Sequence, residues 1–127
     1  MLLVGLGGGL GSISRYGLAG IAQQILGPGY ALRFPLGTLA ANLLGCLLAG
    51  MLAYFFIDRP VLTPHHRLLL MTGFLGGLTT FSSFGYETIM MSKSGDWALA
   101  GLNIAANVIL SLVAVWAGWT AARAMWG

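Results

Sequence analysis

Apolar residues run along this chain in four long stretches, and short polar segments separate them. Leu36 to Ile57 and Trp97 to Ala122 carry no charge at all. Leu68 to Tyr86 is equally uncharged, and the pattern continues past Glu87 as far as Met91. The first stretch, Leu2 to Leu26, is broken only by Arg15. A membrane-spanning helix needs about 20 apolar residues, so each stretch is long enough to cross once. The segments between them are turn material: Gly27-Pro28-Gly29, Asp58-Arg59-Pro60 through Pro64-His65-His66-Arg67, and Ser92-Lys93-Ser94-Gly95-Asp96. The pattern predicts one all-α domain over 1–127 with four membrane helices, at about 2–26, 36–57, 68–91 and 97–122. No basic region precedes Leu2 and the first stretch is rich in glycine, so it is read as a span and not as a cleaved signal peptide.

Composition supports the membrane assignment. Of 127 residues, 57% are hydrophobic and 7% charged, with a mean hydropathy of +0.86. Soluble domains carry about 25% charged residues. An ordinary soluble enzyme and a nucleic-acid-binding domain are thereby excluded, despite a pI near 9.5. Disorder is excluded as well, since it needs low hydrophobicity and high charge. The single cysteine, Cys46, leaves no disulfide scaffold and no cysteine-based zinc site.

Four helices can barely enclose a polar path and also screen it from lipid, so a pore asks for more than one chain. Glycine bears on this: there are 20, roughly twice the usual share. Small residues recur every four positions: Gly37, Ala41, Gly45 and Ala49; Gly5 and Gly9; Gly7 and Gly11; Ala114, Gly118 and Ala122. Such stripes let helix backbones approach in a bilayer. Any one stripe fits packing within a chain or between chains; together they point to an oligomer. The charges outside the spans divide weakly, with Arg59, Arg67 and Arg123 on one face and Arg33 and Lys93 on the other. So slight a positive-inside bias permits insertion in both orientations and antiparallel pairing, with a single fixed orientation as the competing reading.

Polar groups inside the spans are costly and therefore informative. Thr38, Asn42, Cys46 and Gly50 share a face of the second span, and Asn103, Asn107 and Ser111 a face of the fourth. Interhelical hydrogen bonding is the plainer account of these amides, and a polar path the other. Arg15 either snorkels to a membrane face or supports an aqueous vestibule. Glu87, near the end of the third span, pairs with a basic loop residue on the plainer reading; beside an anion route it has to be protonated or serve as a hydrogen-bond partner. The adjacent His65 and His66 lie in a loop, and no Ser-His-Asp set or nucleotide motif can be placed, so no enzyme is expected.

The third span is the densest, reading Gly73-Phe74-Leu75-Gly76-Gly77-Leu78-Thr79-Thr80-Phe81-Ser82-Ser83-Phe84. Paired glycines followed by paired threonines and serines are poor helix material, so a break is expected at mid-membrane. A break frees backbone carbonyls, tolerable at depth only where protein or a lined cavity satisfies them. Freed carbonyls suit a hard cation. Phe81 and Phe84 share a face, and the electropositive ring edge of phenylalanine can hold an anion; lipid contact or core packing is the plainer reading.

The segment Gly73 to Glu87 resembles the signature of the CrcB/Fluc fluoride channels. So does Gly37-Thr38-Leu39-Ala40-Ala41-Asn42-Leu43-Leu44-Gly45, preceded by Pro35, as does Gly11-Ser12-Ile13-Ser14-Arg15-Tyr16. The resemblance covers essentially the whole chain. It implies an antiparallel, dual-topology homodimer in the bacterial inner membrane, with two fluoride pathways and a structural Na+ on the dimer axis. By the same resemblance, main-chain carbonyls of Gly76 and Thr79 hold the sodium. Phe81, Phe84 and Asn42 line the pathway, Ser82 and Ser83 form a hydroxyl track ending towards Glu87, and Arg15 supports the vestibule. The function implied is passive, selective export of fluoride, which protects against its toxicity. The alternative is a small multidrug-type dual-topology transporter, but its coupling needs a carboxylate in the first span, and none is there. A non-transporting assembly subunit would leave the Gly-Gly, Thr-Thr, Phe-Ser-Ser-Phe cluster unexplained.

Overall fold

The computed structural model describes residues 1–27 and 34–127, so Pro28, Gly29 and Arg33 lie outside the described residues. The described chain is helical nearly throughout. Helix α1 spans Leu2–Leu26 and stops at Gly27, whose φ of 75° turns the chain out of the helix. Helix α2 spans Leu36–Asp58, with a π-helical last turn at Tyr54–Asp58. Helix α3 covers residues 64–78, largely π-helical over Leu68–Leu75. Helix α4 is Phe81–Lys93. A turn with Gly95 at φ 87° leads into α5, Trp97–Trp126, which carries a π-helical turn at Ala106–Leu110.

The stretches Leu36–Asp58, Pro64–Lys93 and Trp97–Trp126 are long and apolar enough to cross a membrane. Helix α1 matches them in length, but its glycines and Arg15 lower its hydropathy.

His65 and His66 correct the sequence reading: they sit in the first turn of α3, not in a loop. Thr63 caps that turn and Pro64 opens it. The Thr63 hydroxyl accepts the His66 N–H at 3.4 Å, while His66 Nδ1 accepts the Thr63 N–H at 3.1 Å. This is a capping box with histidine in the place usually held by Glu or Gln. Among the described residues, no group of three or more His, Cys, Asp or Glu converges.

Helix pairing follows the glycines. Helix α1 packs on α3 and α2 on α5. A Cβ at Gly7 would collide with the Leu69 carbonyl, and one at Gly11 with the Phe74 carbonyl. At the other interface a Cβ at Gly50 would meet the Val115 carbonyl, and one at Gly118 the Leu47 carbonyl. Here helix backbone touches helix backbone, an approach that only glycine permits. The stripes therefore divide. Gly7, Gly11, Gly45, Gly118 and Ala122 are consumed by packing within the chain, whereas Gly5 and Gly9 meet nothing within 4 Å.

The core is small, centred on Ala41, Leu75 and Leu78 with Leu18, Leu48 and Phe74 against it. Large apolar side chains such as Leu6, Leu10, Ile13, Ile109, Leu112 and Trp116 face outward. Inside-out apolarity of this kind is unaffordable in water but ordinary where lipid or another protein supplies the surroundings.

Gly11→Val and Gly118→Val should each cost roughly 1–3 kcal/mol through forced backbone separation. Gly9→Ala, on open helix surface, should not destabilise. Unfolding midpoints in mixed micelles would show this order, and equal stability of all three variants would contradict the packing.

Candidate functional site

The site is built around Thr79 and Thr80. Thr79 has φ −82° and ψ 152°, and Thr80 φ −149° and ψ 121°. Extended backbone thus stands between the short helical turn Gly76–Leu78 and Phe81–Lys93. Local sequence favours this: Gly76 and Gly77 are weak helix formers, and two β-branched threonines follow. Thr80 then caps α4, its hydroxyl accepting the Ser83 N–H at 3.2 Å. Thr79 caps α3 in its turn, directing both its N–H and its hydroxyl to the Leu75 carbonyl, each at 2.9 Å.

What holds the extended pair is a side chain from α2. Asn42 Oδ1 accepts the Thr80 N–H at 2.8 Å, and Asn42 Nδ2 donates to the Thr80 carbonyl at 3.2 Å. The amide pairs with the backbone as a neighbouring β-strand would. One turn along the same face, Gly45 leaves the room that Thr79 fills; a Cβ there would strike Thr79 Cγ2. The Asn42–Gly45 spacing therefore forms a socket for the interruption.

The pairing alters the carbonyls nearby. In a continuous helix the Thr80 N–H would go to the Gly76 carbonyl; here it goes to Asn42. The Ser83 N–H would go to the Thr79 carbonyl; here it goes to the Thr80 hydroxyl. Both carbonyls are thus released from helical pairing.

One cavity opens on this point, and two others lie beside it along α1, α2 and α4. The first, about 270 Å³, is lined by Asn42, Cys46, Thr79, Thr80, Phe81, Phe84, Asn107, Val108 and Ser111. A second, about 320 Å³, is lined by Ser12, Arg15, Tyr16, Ala19, Gly37, Thr38 and Ser83. A third, about 180 Å³, holds Thr38 and Glu87 beside Gln23 and Pro35. Thr38 belongs to the second and the third. The structure so brings Asn42, Thr79, Phe81 and Phe84 to one cavity and Arg15 with Ser83 to another. Ser82 is exposed and approaches the Thr80 hydroxyl at 3.2 Å. Gly76 lines none of the three and is exposed on the chain's outer surface.

Phe81 and Phe84 meet edge to face, their centroids 5.2 Å apart at 61°. Phe84 is buried, while Phe81 is 81% exposed. Of the two readings of Glu87, the structure has the hydrogen-bond partner, and the plainer pairing with a basic loop residue does not form among the described residues: the Thr38 hydroxyl donates to Glu87 Oε1 at 2.7 Å. Its Oε2 is buried and, among the described residues, has no hydrogen-bond partner.

Sequence reasoning passed over Thr80 and Thr88. Thr80 is the residue that Asn42 grips, and Thr88 is buried against Asn103, whose Nδ2 donates to its hydroxyl at 2.9 Å. A threonine immediately before a helical stretch is an N-cap signal and marks Thr80. No local pattern marks Thr88.

An all-helical chain with apolar outer faces, whose interrupted third stretch is socketed by an asparagine of the second, belongs to a class of small multi-pass membrane proteins. It matches the family described as CrcB-like protein, Camphor Resistance (CrcB), over residues 2–119. It is 39% identical to the fluoride-specific ion channel FluC of Geotalea daltonii over 123 residues, covering 97% of this chain and 96% of the relative. Against the protein of that name from Rhizobium etli it is 43% identical over 124 residues, covering 98% and 96%. Against that of Maridesulfovibrio salexigens it is 39% identical over 117 residues, covering 92% and 90%. The chain belongs to the CrcB family.

Asn42→Asp tests the socket. Aspartate keeps the shape and the acceptor for the Thr80 N–H, but sets its second oxygen against the Thr80 carbonyl. A buried polar group left without a partner costs about 1–3 kcal/mol, so the unfolding midpoint in micelles should fall accordingly. Wild-type stability in Asn42→Asp would show that the amide donor does not hold the break.

Proposed function

We propose that the protein is a passive fluoride-selective channel that lets the ion leave the cytoplasm and so protects against fluoride toxicity. The relatives named fluoride-specific ion channels, matched over nearly their whole length, support fluoride as the ion. The observation that carries the mechanism is the interruption at Thr79–Thr80, where phenylalanines and polar side chains share one cavity. On this reading the chain is not an enzyme, and the multidrug alternative is set aside because α1 holds no carboxylate.

Fluoride is small and tightly hydrated, so a selective path must exchange its water for closely placed donors. The cavity offers the ring edges of Phe81 and Phe84, which are electropositive, and the Ser111 hydroxyl, whereas the Thr80 hydroxyl donates to Ser83 Oγ. Ser83 and Arg15 line the neighbouring cavity, where a guanidinium raises the local anion concentration. Ser82 and Ser83 extend the hydroxyl track towards Glu87. The Glu87 carboxylate turns Oε1 to Thr38, which makes it a wall residue fixing that hydroxyl and not a ligand of the ion. Asn42 serves chiefly as the socket, since Nδ2 donates to the Thr80 carbonyl and to Asn107 Oδ1, at 3.2 and 2.9 Å.

The working unit is read as an antiparallel, dual-topology homodimer of four-span chains in the bacterial inner membrane. Two observations support a second copy. Phe81 is largely exposed on the single chain, and the Gly76 carbonyl lies on an exposed residue. A structural Na+ fits the released carbonyls of Gly76 and Thr79: hard cations take neutral oxygen ligands, and these two have lost their helical donors. Such an ion supplies positive field at the centre without an arginine in the path.

Phe81→Ile and Phe84→Ile should lower fluoride efflux from proteoliposomes at least about tenfold, the equivalent of about 1.4 kcal/mol, with assembly unchanged. Wild-type flux in both would remove the rings from the mechanism. A single cysteine placed at either end of the chain should be labelled from both sides of the membrane; strictly one-sided labelling would refute dual topology.

A further inference from the structure

Asn103 lies in α5 with none of its surface exposed, and no role so far described explains it. A buried asparagine must place two acceptor sites and two donors, and the partners here form a sequence with a direction. The Thr80 N–H donates to Asn42 Oδ1 at 2.8 Å. Asn42 Nδ2 donates to Asn107 Oδ1 at 2.9 Å, and Asn107 Nδ2 to Asn103 Oδ1 at 2.9 Å. Asn103 Nδ2 donates to Thr88 Oγ1 at 2.9 Å, and the Thr88 hydroxyl to the Phe84 carbonyl at 2.8 Å.

The direction is not arbitrary. A backbone N–H can only donate, so at one end Asn42 must present its oxygen to Thr80. A backbone carbonyl can only accept, so at the other end the Thr88 hydroxyl must point at Phe84. Between these ends each amide has one orientation compatible with both neighbours. Donors aligned head to tail polarise one another, and reversing any member sets oxygen against oxygen. The chain leaves the helix interruption, passes through α2 and α5, and returns to α4 at the turn carrying Phe84.

We propose that Asn103 and Thr88 are positioning residues of the fluoride pathway. They hold the Asn107 amide with its oxygen towards Asn42, and so brace the Asn42 amide and the extended backbone it grips at Thr80 from the far side of the bundle. This rests on the fluoride-channel reading for its consequence, while the chain itself stands on the geometry. A merely structural role would make the variants less stable without changing flux per folded channel or the state of the Asn42 amide.

The test reconstitutes wild type, Asn103→Leu, Thr88→Val and Thr88→Ser, and measures fluoride and chloride efflux per folded protein. Side-chain amide resonances of Asn42 are recorded in micelles on the same variants. Thr88→Val conserves shape and is expected to fold; it should lower fluoride efflux about tenfold, the scale of one broken buried hydrogen bond, and move the Asn42 resonances. Thr88→Ser, which keeps the hydroxyl, should restore both. Asn103→Leu with Thr88→Val should lose no more flux than Asn103→Leu alone, because both cut one chain. Wild-type efflux in Thr88→Val, or an Asn42 resonance that does not move, overturns the proposal. If the wild type passes no fluoride while the resonances move as expected, the pathway reading fails and the chain remains.

Discussion

The arrangement of the third helical stretch depends on one side chain forming a two-sided hydrogen bond with a backbone that has left its helix. Asn42 receives the N–H of Thr80 and returns a donor to its carbonyl. Without that exchange, two peptide groups would lie buried with no partner, at about 1–3 kcal/mol each, and the segment would be driven back towards a helix. With it, extended backbone is stable inside a bundle that holds no sheet among the described residues. The released Gly76 and Thr79 carbonyls, the Thr80 cap on α4 and the seating of Thr79 over Gly45 all follow from the same contact.

The bundle holds Asn42 in place by touching backbone to backbone. Gly7 and Gly11 admit α3, and Gly50 and Gly118 bring α2 against α5. The apolar core is too small to position anything by itself, since most large side chains point outward. Placement therefore comes from glycine contacts and from the amides of Asn42, Asn103 and Asn107, which are directional where hydrophobic packing is not. That combination suits a protein whose surroundings are apolar, because burying hydrocarbon there gains little.

Much of this was legible in the residues. Uncharged stretches marked the helices, and Gly76-Gly77 with Thr79-Thr80 marked where the third stretch would resist winding, because glycine and β-branched residues weaken a helix wherever they occur. Asn42 was legible as a buried amide, and the family resemblance attached it to the site. Its grip on Thr80 was not, because a side chain's partner on another helix depends on rotation and crossing angle, which spacing along one helix does not encode. A hydrogen-bonding role for Glu87 was legible too, but for the same reason its partner Thr38 was not. His65 and His66 were read as loop because the Thr63–His66 box uses an unusual member. The glycine stripes were visible, but which of them serve the chain's own packing emerged only once α1 met α3.

The central claim is that this chain passes fluoride and excludes other halides. Purified protein reconstituted in liposomes loaded with potassium fluoride or potassium chloride, with valinomycin to carry potassium, measures this directly. The account expects rapid fluoride release on adding the ionophore and no chloride release above protein-free liposomes. Equal release of both anions, or no fluoride release from correctly folded protein, would contradict it.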